Sequence, residues 1–226
     1  MAQNSIIKTI IQMEKCRIMR KITAILTAII SLSFFMASIN AAEFPLIEHS
    51  QEREGEITHI VMHFVSNVIA NPKNPYDIED MIEIFRENEV SIHYFVDRDG
   101  TIHCAVPESR TAWHAGRGQL ADFPHYTNRL NHHSIGIEVL GIGSWNDMEQ
   151  YMAREEYDAL NPDLIGFTEA QYRSLNRLVN GILCRHLGIK ADRKHIIGHS
   201  EYSSNNKTDP GELFDWSRLD FMNVTK

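Results

Sequence analysis

Cysteine, basic charge and internal repetition are all scarce in this chain. Of its 226 residues only three are cysteine, Cys16, Cys104 and Cys184. None belongs to a CxxC pair, so the chain is not a disulfide-built scaffold. Lysine and arginine number 22 against 30 aspartates and glutamates, a formal net charge of −8. The deficit is concentrated. Residues 1–42 hold five bases (Lys8, Lys15, Arg17, Arg20, Lys21) and one acid, Glu14, which leaves 17 bases and 29 acids in the remainder. A body that acidic repels a polyphosphate backbone, so no nucleic-acid partner is expected. No repeat or low-complexity tract is present, and the hydrophobic (43%) and charged (23%) fractions are ordinary for a globular chain. Wholesale disorder, collagen-like and coiled-coil architectures are thereby excluded, and the length suits one domain.

The few clustered bases belong to a recognisable pattern. Arg17, Arg20 and Lys21 precede Ile22–Met36, 15 residues without charge, and then the small-residue run Ala37-Ser38-Ile39-Asn40-Ala41-Ala42. A basic n-region, an apolar stretch and small residues near a cut site describe a secretory signal peptide. Read through to Ala42, the uncharged run also suits an uncleaved N-terminal anchor, and only in that case would the protein meet a membrane. Met19 is an alternative start. The expected organisation is a leader over residues 1–42, a polar, irregular lead-in over 43–56 and one folded domain over 57–226, exported to the periplasm or secreted. In an oxidising compartment Cys104 and Cys184 could pair. Cys184 falls on the apolar face of a predicted helix and is expected instead to be a buried free thiol.

Along the domain, Ile57-Thr58-His59-Ile60-Val61-Met62-His63-Phe64 is β-branched and apolar on both faces, the pattern of a buried central strand. Asn71 to Pro75 is turn chemistry, after which Asp77 caps a helix that places Ile78, Met81, Ile82 and Phe85 on one face. Ser91 to Val96 and Thr101 to Val106 read as a hairpin about Asp99-Gly100. Ser134 to Leu140 is another apolar strand. Residues 145–166 are acidic and read as an insertion with a short helix. Thr168 and Gln171 make a capping box for a helix that buries Tyr172, Leu175, Leu178, Val179, Ile182 and Leu183 and stops at Gly188. A short strand, Lys194 to Ile197, follows. Alternating strands and helices predict an α/β fold, a single domain with a central mixed β-sheet flanked by helices.

All twelve histidines lie beyond residue 48. His63 closes the first strand and His199 follows the last, in Gly198-His199-Ser200-Glu201. Asp209 sits ten residues later, in Lys207-Thr208-Asp209-Pro210-Gly211. Two imidazoles and one carboxylate on separate elements would leave the fourth position of a zinc ion open to water, the mark of a catalytic centre. On spacing alone a plainer reading is favoured, with a strand-end histidine bonded to backbone and an ordinary turn aspartate.

Six ordered blocks add to that spacing: Ile60-Val61-Met62-His63; Ser91-Ile92-His93-Tyr94 with Arg98-Asp99-Gly100; Ala112-Trp113-His114-Ala115-Gly116; Ser134-Ile135-Gly136-Ile137-Glu138; Gly198-His199-Ser200-Glu201; and Lys207-Thr208-Asp209-Pro210-Gly211. From about Ile57 to Trp216 the chain resembles the zinc-dependent N-acetylmuramoyl-L-alanine amidases of the type 2 family, whose fold is shared with the peptidoglycan recognition proteins. It looks most like the branch that contains the bacterial anhydro-muropeptide amidase and its periplasmic relatives. The resemblance implies one Zn2+ bound by His63, His199 and Asp209. It also implies Glu138 as general base, Lys207 as an assisting cation, and peptidoglycan or a muropeptide as the substrate partner.

One departure bears on mechanism. Phage-type members place a tyrosine directly before the histidine of the first hairpin strand, where this chain has Ile92. Together with Glu138, that substitution assigns the chain to the glutamate mechanism and leaves Tyr94 without the role. Trp113 and His114 resemble the family's substrate-cleft wall. His93 is expected to be structural, His59 to be packed rather than to act as a fourth ligand, and His132-His133 to be a solvated loop. Two rival functions share the motifs: a peptidoglycan-binding recognition protein without catalysis, and a zinc peptidase cutting within the stem peptide.

Overall fold

Two seven-residue strands, apolar on both faces, set the architecture of the residues that the computed structural model describes, 47–203, 205 and 207–221. The leader expected over residues 1–42 lies outside them. In chain order the strands are β1 (Ser50–Glu52), β2 (His59–Val65), β3 (Tyr94–Val96), β4 (Ile102–Cys104), β5 (Arg110–Ala112), β6 (Ser134–Leu140) and β7 (Ile196–Gly198). The helices are α1 (Ile78–Glu87), α2 (Trp145–Met148), α3 (Arg154–Asp158), α4 (Glu169–Arg185) and α5 (His199–Tyr202). Five strands form one mixed sheet in the order β4-β3-β6-β2-β7. Within it β3, β6, β2 and β7 are parallel and β4 is antiparallel to β3. All seven residues of β6 are buried, as are the first five of β2, which is why neither strand shows polar alternation. The predicted α/β class and mixed sheet are what the chain adopts.

Local chemistry starts the two long helices where the sequence indicates. The Asp77 carboxylate accepts from the amides of Glu79 and Asp80 to cap α1. Thr168 and Gln171 exchange side-chain and backbone hydrogen bonds at the start of α4. Tyr172, Leu175, Val179 and Ile182 of α4 pack on Ile60, Met62, Ile135, Ile137 and Val139, one face of the sheet. Each such burial contributes about 1.5–3 kcal/mol relative to exposure. Phe85 and Met81 of α1 pack with Phe95 and Leu140 on the other face. Side chains alternate along a strand, so His63 and Glu138 fall on the face that α4 does not cover.

Several expectations need correction. The lead-in is not irregular throughout, because Ser50–Glu52 pairs antiparallel with Arg110–Ala112 to form a second, two-stranded sheet. Arg53 then enters the protein and donates to the carbonyls of Glu108 (2.9 Å), His132 (2.9 Å), Arg110 (2.7 Å) and Ser134 (3.0 Å). Burial lowers this guanidinium to about 10. The strand expected over 91–96 begins only at Tyr94. The Ser91 amide donates to Trp113, and His93 reaches β6 through its side chain, accepting from the Gly136 amide on Nδ1 at 3.0 Å. The returning strand shortens likewise, to Ile102–Cys104. His132 and His133 lie in a 3-10 turn, Leu130–His133, and are half-buried. Cys104 is an exposed free thiol, so the Cys104–Cys184 pair does not form, and Cys184 is disulfide-bonded instead of being a free thiol.

A half-buried ion cluster ties the hairpin to the end of α4. Glu108 accepts from Tyr94 Oη (2.7 Å), from Arg185 Nη2 (2.6 Å) and Nε (3.0 Å), and from His186 Nε2 (2.7 Å). Burial works to raise this carboxyl, but the hydrogen bonds from His186, Arg185 and Tyr94 outweigh it and hold the group well below the usual carboxylate range. Glu108→Gln should therefore cost roughly 1.5–3 kcal/mol at neutral pH, the scale of hydrogen bonds to a charged group. A carboxyl depressed by folding stabilises above its unfolded value of 4.5 and loses that contribution as the pH falls from there. Urea unfolding at about pH 7 and about pH 3.5 checks both points. The gap between wild type and E108Q should narrow in acid, and an equal gap at both values would rule the cluster out.

Candidate active site

The register of β2 assembles the site. His63 of β2 lies opposite Glu138 of β6, and Met62 lies opposite Gly198 of β7, so the next residue of the β7 chain, His199, arrives beside His63 on the other side. The site thus sits toward the carboxyl ends of the parallel strands, where side chains from successive connections converge in open α/β sheets. Gly198 is needed at this corner, since a Cβ there would lie 2.6 Å from Pro210 Cδ. That close approach lets the 207–211 loop fold back, and the Ser200 amide donates to the Asp209 carbonyl at 3.0 Å.

The loop delivers the Asp209 carboxylate to the two imidazoles. Asp209 Oδ2 is 2.8 Å from His63 Nδ1 and 3.0 Å from His199 Nδ1, and the two Nδ1 atoms are 3.1 Å apart. These are the only three described residues whose histidine, cysteine and carboxylate donors converge in this way. A tetrahedral zinc with bonds of about 2.0–2.1 Å spaces its ligands by roughly 3.3 Å, so the three atoms need part by only a few tenths of an ångström to hold one. The donor chemistry agrees. His199 Nε2 lies 3.0 Å from the Ala115 carbonyl, which can only accept, so the ring proton is on Nε2 and Nδ1 presents its lone pair. Burial and the neighbouring His199 lower His63 to about 4, which keeps that ring neutral. The adjoining His199 and His63 rings outweigh the effect of burial on Asp209 and hold its carboxyl well below the usual range.

Beside the donors a cavity of about 310 Å³ opens, lined by His63, His199, Asp209, Glu138, Lys207, Trp113 and His114 together with an apolar wall that includes Val68, Ile69, Val90 and Tyr151. All seven residues singled out in the sequence therefore line one cavity. Glu138 is buried, and its Oε2 has no hydrogen-bond partner. Burial, reinforced by the nearby Asp209 carboxylate, raises its carboxyl well above the ordinary value, against the pull of Lys207. Tyr94 is elsewhere: Phe95 is the residue in register with Glu138, and the Tyr94 hydroxyl is spent on Glu108. His59 is buried with its Nδ1 at 2.8 Å from Thr58 Oγ1 and does not join the donors.

Two supporting residues escaped sequence reasoning. Asp147, at the start of the acidic segment, is buried and accepts from the Ser144 amide (2.9 Å), the Ser144 hydroxyl (2.8 Å) and the Glu212 amide (3.3 Å). It thereby clamps the loop just past Asp209. The Ser144-x-x-Asp147 spacing of a capping box was a visible signal. Met148 and Tyr151 of the same segment line the cavity. The second is Ser134, which contacts His114 and has no local sequence signature.

Known proteins are similar to this chain in sequence and in fold. The family model described as N-acetylmuramoyl-L-alanine amidase matches residues 53–212. The 1,6-anhydro-N-acetylmuramyl-L-alanine amidase AmpD of Citrobacter freundii is 33% identical over 130 residues, 58% of this chain and 55% of that protein. The chain thus spans about half the length of the curated relatives it matches. A crystal structure of a selenomethionine AmpD derivative superposes with a TM-score of 0.55 and 25% identity, over 80% of this chain and 92% of that one. The N-acetylmuramyl-L-alanine amidase AmiD of E. coli, solved with the substrate anhydro-N-acetylmuramic acid-L-Ala-D-gamma-Glu-L-Lys, gives the same TM-score and identity over 77% of this chain and 60% of that one. The family match begins at the half-buried Arg53 and runs past Asp209 to the loop that Asp147 clamps, and on that span the chain belongs to the type 2 N-acetylmuramoyl-L-alanine amidase family.

Proposed function

We propose that the protein hydrolyses the amide between the lactyl group of N-acetylmuramic acid and L-alanine in peptidoglycan or a muropeptide, using one zinc ion held by His63, His199 and Asp209. The observation that carries this reading is the unpartnered Oε2 of buried Glu138, a residue that lines the same cavity as the three converging donors. A buried carboxylate oxygen without a partner is costly in a purely binding protein. In a hydrolase it is the acceptor a nucleophilic water needs.

When bound, zinc would lower the pKa of a water toward ~7 and polarise the amide carbonyl. Glu138 takes the proton from the attacking water and returns it to the departing amine of L-alanine. Its raised carboxyl suits it to hold that proton between the two transfers. Lys207 lines the same cavity and supplies positive charge to the oxyanion that develops on the carbonyl oxygen. Trp113 and the apolar wall offer a surface for the substrate, with Trp113 half-buried and set edge-on to His132. The relatives named for anhydro sugars support muropeptides as one substrate class. The leader pattern of residues 1–42 supports export, where intact wall and its fragments are both within reach. Among the described residues no helix is long and apolar enough to cross a membrane.

Five outcomes test the reading. Alanine at His63, His199 or Asp209 should remove both stoichiometric zinc and amidase activity. A variant that retained both would mean the wrong ligand has been named. Glu138→Gln should keep zinc and lose roughly 10²–10⁴ in kcat with little change in substrate affinity. Lys207→Ala should also keep zinc and lose turnover, whereas Tyr94→Phe should leave turnover nearly intact. Mass spectrometry of digested muropeptides decides the bond: release of intact peptides that begin with L-alanine is expected, and cuts inside the stem would indicate a peptidase. A protein lacking residues 1–42 should remain soluble and active in the same assay, and its inactivity would make the leader part of the working fold.

A further inference from the structure

His63 has two ring nitrogens and only Nδ1 faces the other donors. Its Nε2 lies 3.0 Å from Nδ1 of His114, whose own Nε2 lies 3.1 Å from Ser134 Oγ. Ser134 Oγ is 2.7 Å from the Leu130 carbonyl. The polarity of this chain follows from its far end. A carbonyl can only accept, and a serine hydroxyl has one proton, so the shorter contact takes it and Ser134 Oγ is left as an acceptor toward His114. His114 must then carry its proton on Nε2 and present a bare Nδ1. That nitrogen accepts from His63 Nε2, and the His63 Nδ1 lone pair is turned toward Asp209 and His199. The His114 ring is held in place from below, since a Cβ on Gly136 would come within 2.6 Å of its Cγ and Nδ1. The Asn131 side chain accepts from the His114 and Ala115 amides at 3.0 and 2.7 Å, which fixes the backbone on either side.

We propose that His114 and Ser134 are positioning residues, a directional relay that anchors to the Leu130 carbonyl and selects the Nδ1-free tautomer of His63. The proposal rests on the reading of His63 as a metal ligand. It gives His114 a different task from the cleft-wall contact that the family resemblance implies, because both of its ring nitrogens are engaged inside the protein. Ligating histidines commonly have the second nitrogen fixed by a partner, most often a carbonyl or carboxylate. His199 follows that pattern with Ala115, whereas His63 reaches its carbonyl through two intervening side chains.

Histidine-nitrogen NMR on the full chain, zinc-free and zinc-loaded, reads the tautomers directly. The expected result is His114 protonated on Nε2 and bare on Nδ1 in both forms. A proton on Nδ1 of His114 in either form would reverse the relay and overturn the proposal. Chelator competition measures the consequence for the metal. His114→Ala should weaken zinc binding roughly 10–100-fold, and His114→Asn, whose Oδ1 can take the place of the Nδ1 acceptor, should recover most of that loss. Unchanged zinc affinity in H114A, or no recovery in H114N, counts against the relay. Ser134→Ala removes only the hydroxyl and keeps the test available if H114A fails to fold; it should mix the two His114 tautomers and weaken zinc several-fold, and a single unaltered tautomer would sink the idea. A wild type with no zinc affinity would defeat the metal reading alone, because the tautomers of the zinc-free protein still judge the relay.

Discussion

The in-register pairing of β2 between β6 and β7 is the constraint on which the site depends. Two hydrogen-bonded ladders place Glu138 on one side of His63 and His199 on the other, before any side chain of the site has made a contact. A slip of one residue in either ladder would turn the functional side chain to the α4 face. What prevents it is the apolar set on that face, Ile60 and Met62 in β2 with Ile135, Ile137 and Val139 in β6, each of which would have to leave the core. The packing that stabilises the domain and the geometry that gives it chemistry are therefore the same object seen from opposite sides of one sheet.

The cavity separates two carboxylates by environment. Asp209 is reached by two imidazoles and is held ionised, while Glu138 is buried without a hydrogen-bond partner for Oε2 and is pushed the other way, in part by Asp209 itself. Neighbouring acids whose affinities for a proton are driven apart can divide the labour of binding a cation and moving a proton. The division proposed for this chain follows that separation. Asp209 takes the ligand role and Glu138 the acid–base role.

Much of this was legible in the sequence, for identifiable reasons. The α1 and α4 starts are local chemistry, Asp77 at one and Thr168 with Gln171 at the other, and local chemistry survives folding. The long strands β2 and β6 were legible because burial on both faces leaves an uninterrupted apolar run. The residues of the cavity were recognisable only as ordered motifs, since His63, Glu138 and Asp209 have no common period. Hidden from sequence were the features made by distant partners. Ser50–Glu52 is a strand only because Arg110–Ala112 lies beside it. Arg53 looks like a surface base until four carbonyls surround it. Ser91 to His93 has the composition of a strand but donates its Ser91 amide to a loop and, through the His93 imidazole, accepts from Gly136. Asp147 and Ser134 matter for the distant groups they touch, the Glu212 amide and the His114 ring, and neither of those contacts is written in their neighbours.

The spacing of the three donors along the chain has a consequence for how the protein comes together. His199 and Asp209 are ten residues apart in sequence, His63 and His199 136 residues apart. Closing a ten-residue loop costs little entropy and takes on the order of 10–100 ns, so the corner after β7 can bring two donors together early and repeatedly. His63 joins them only when β2 has been threaded between β6 and β7, a set of parallel, long-range pairings that belongs to the slow part of folding. The complete donor triangle is thus a late product of folding and a sensitive report on it. Any loosening of the sheet would withdraw the distant histidine first and leave the local pair standing.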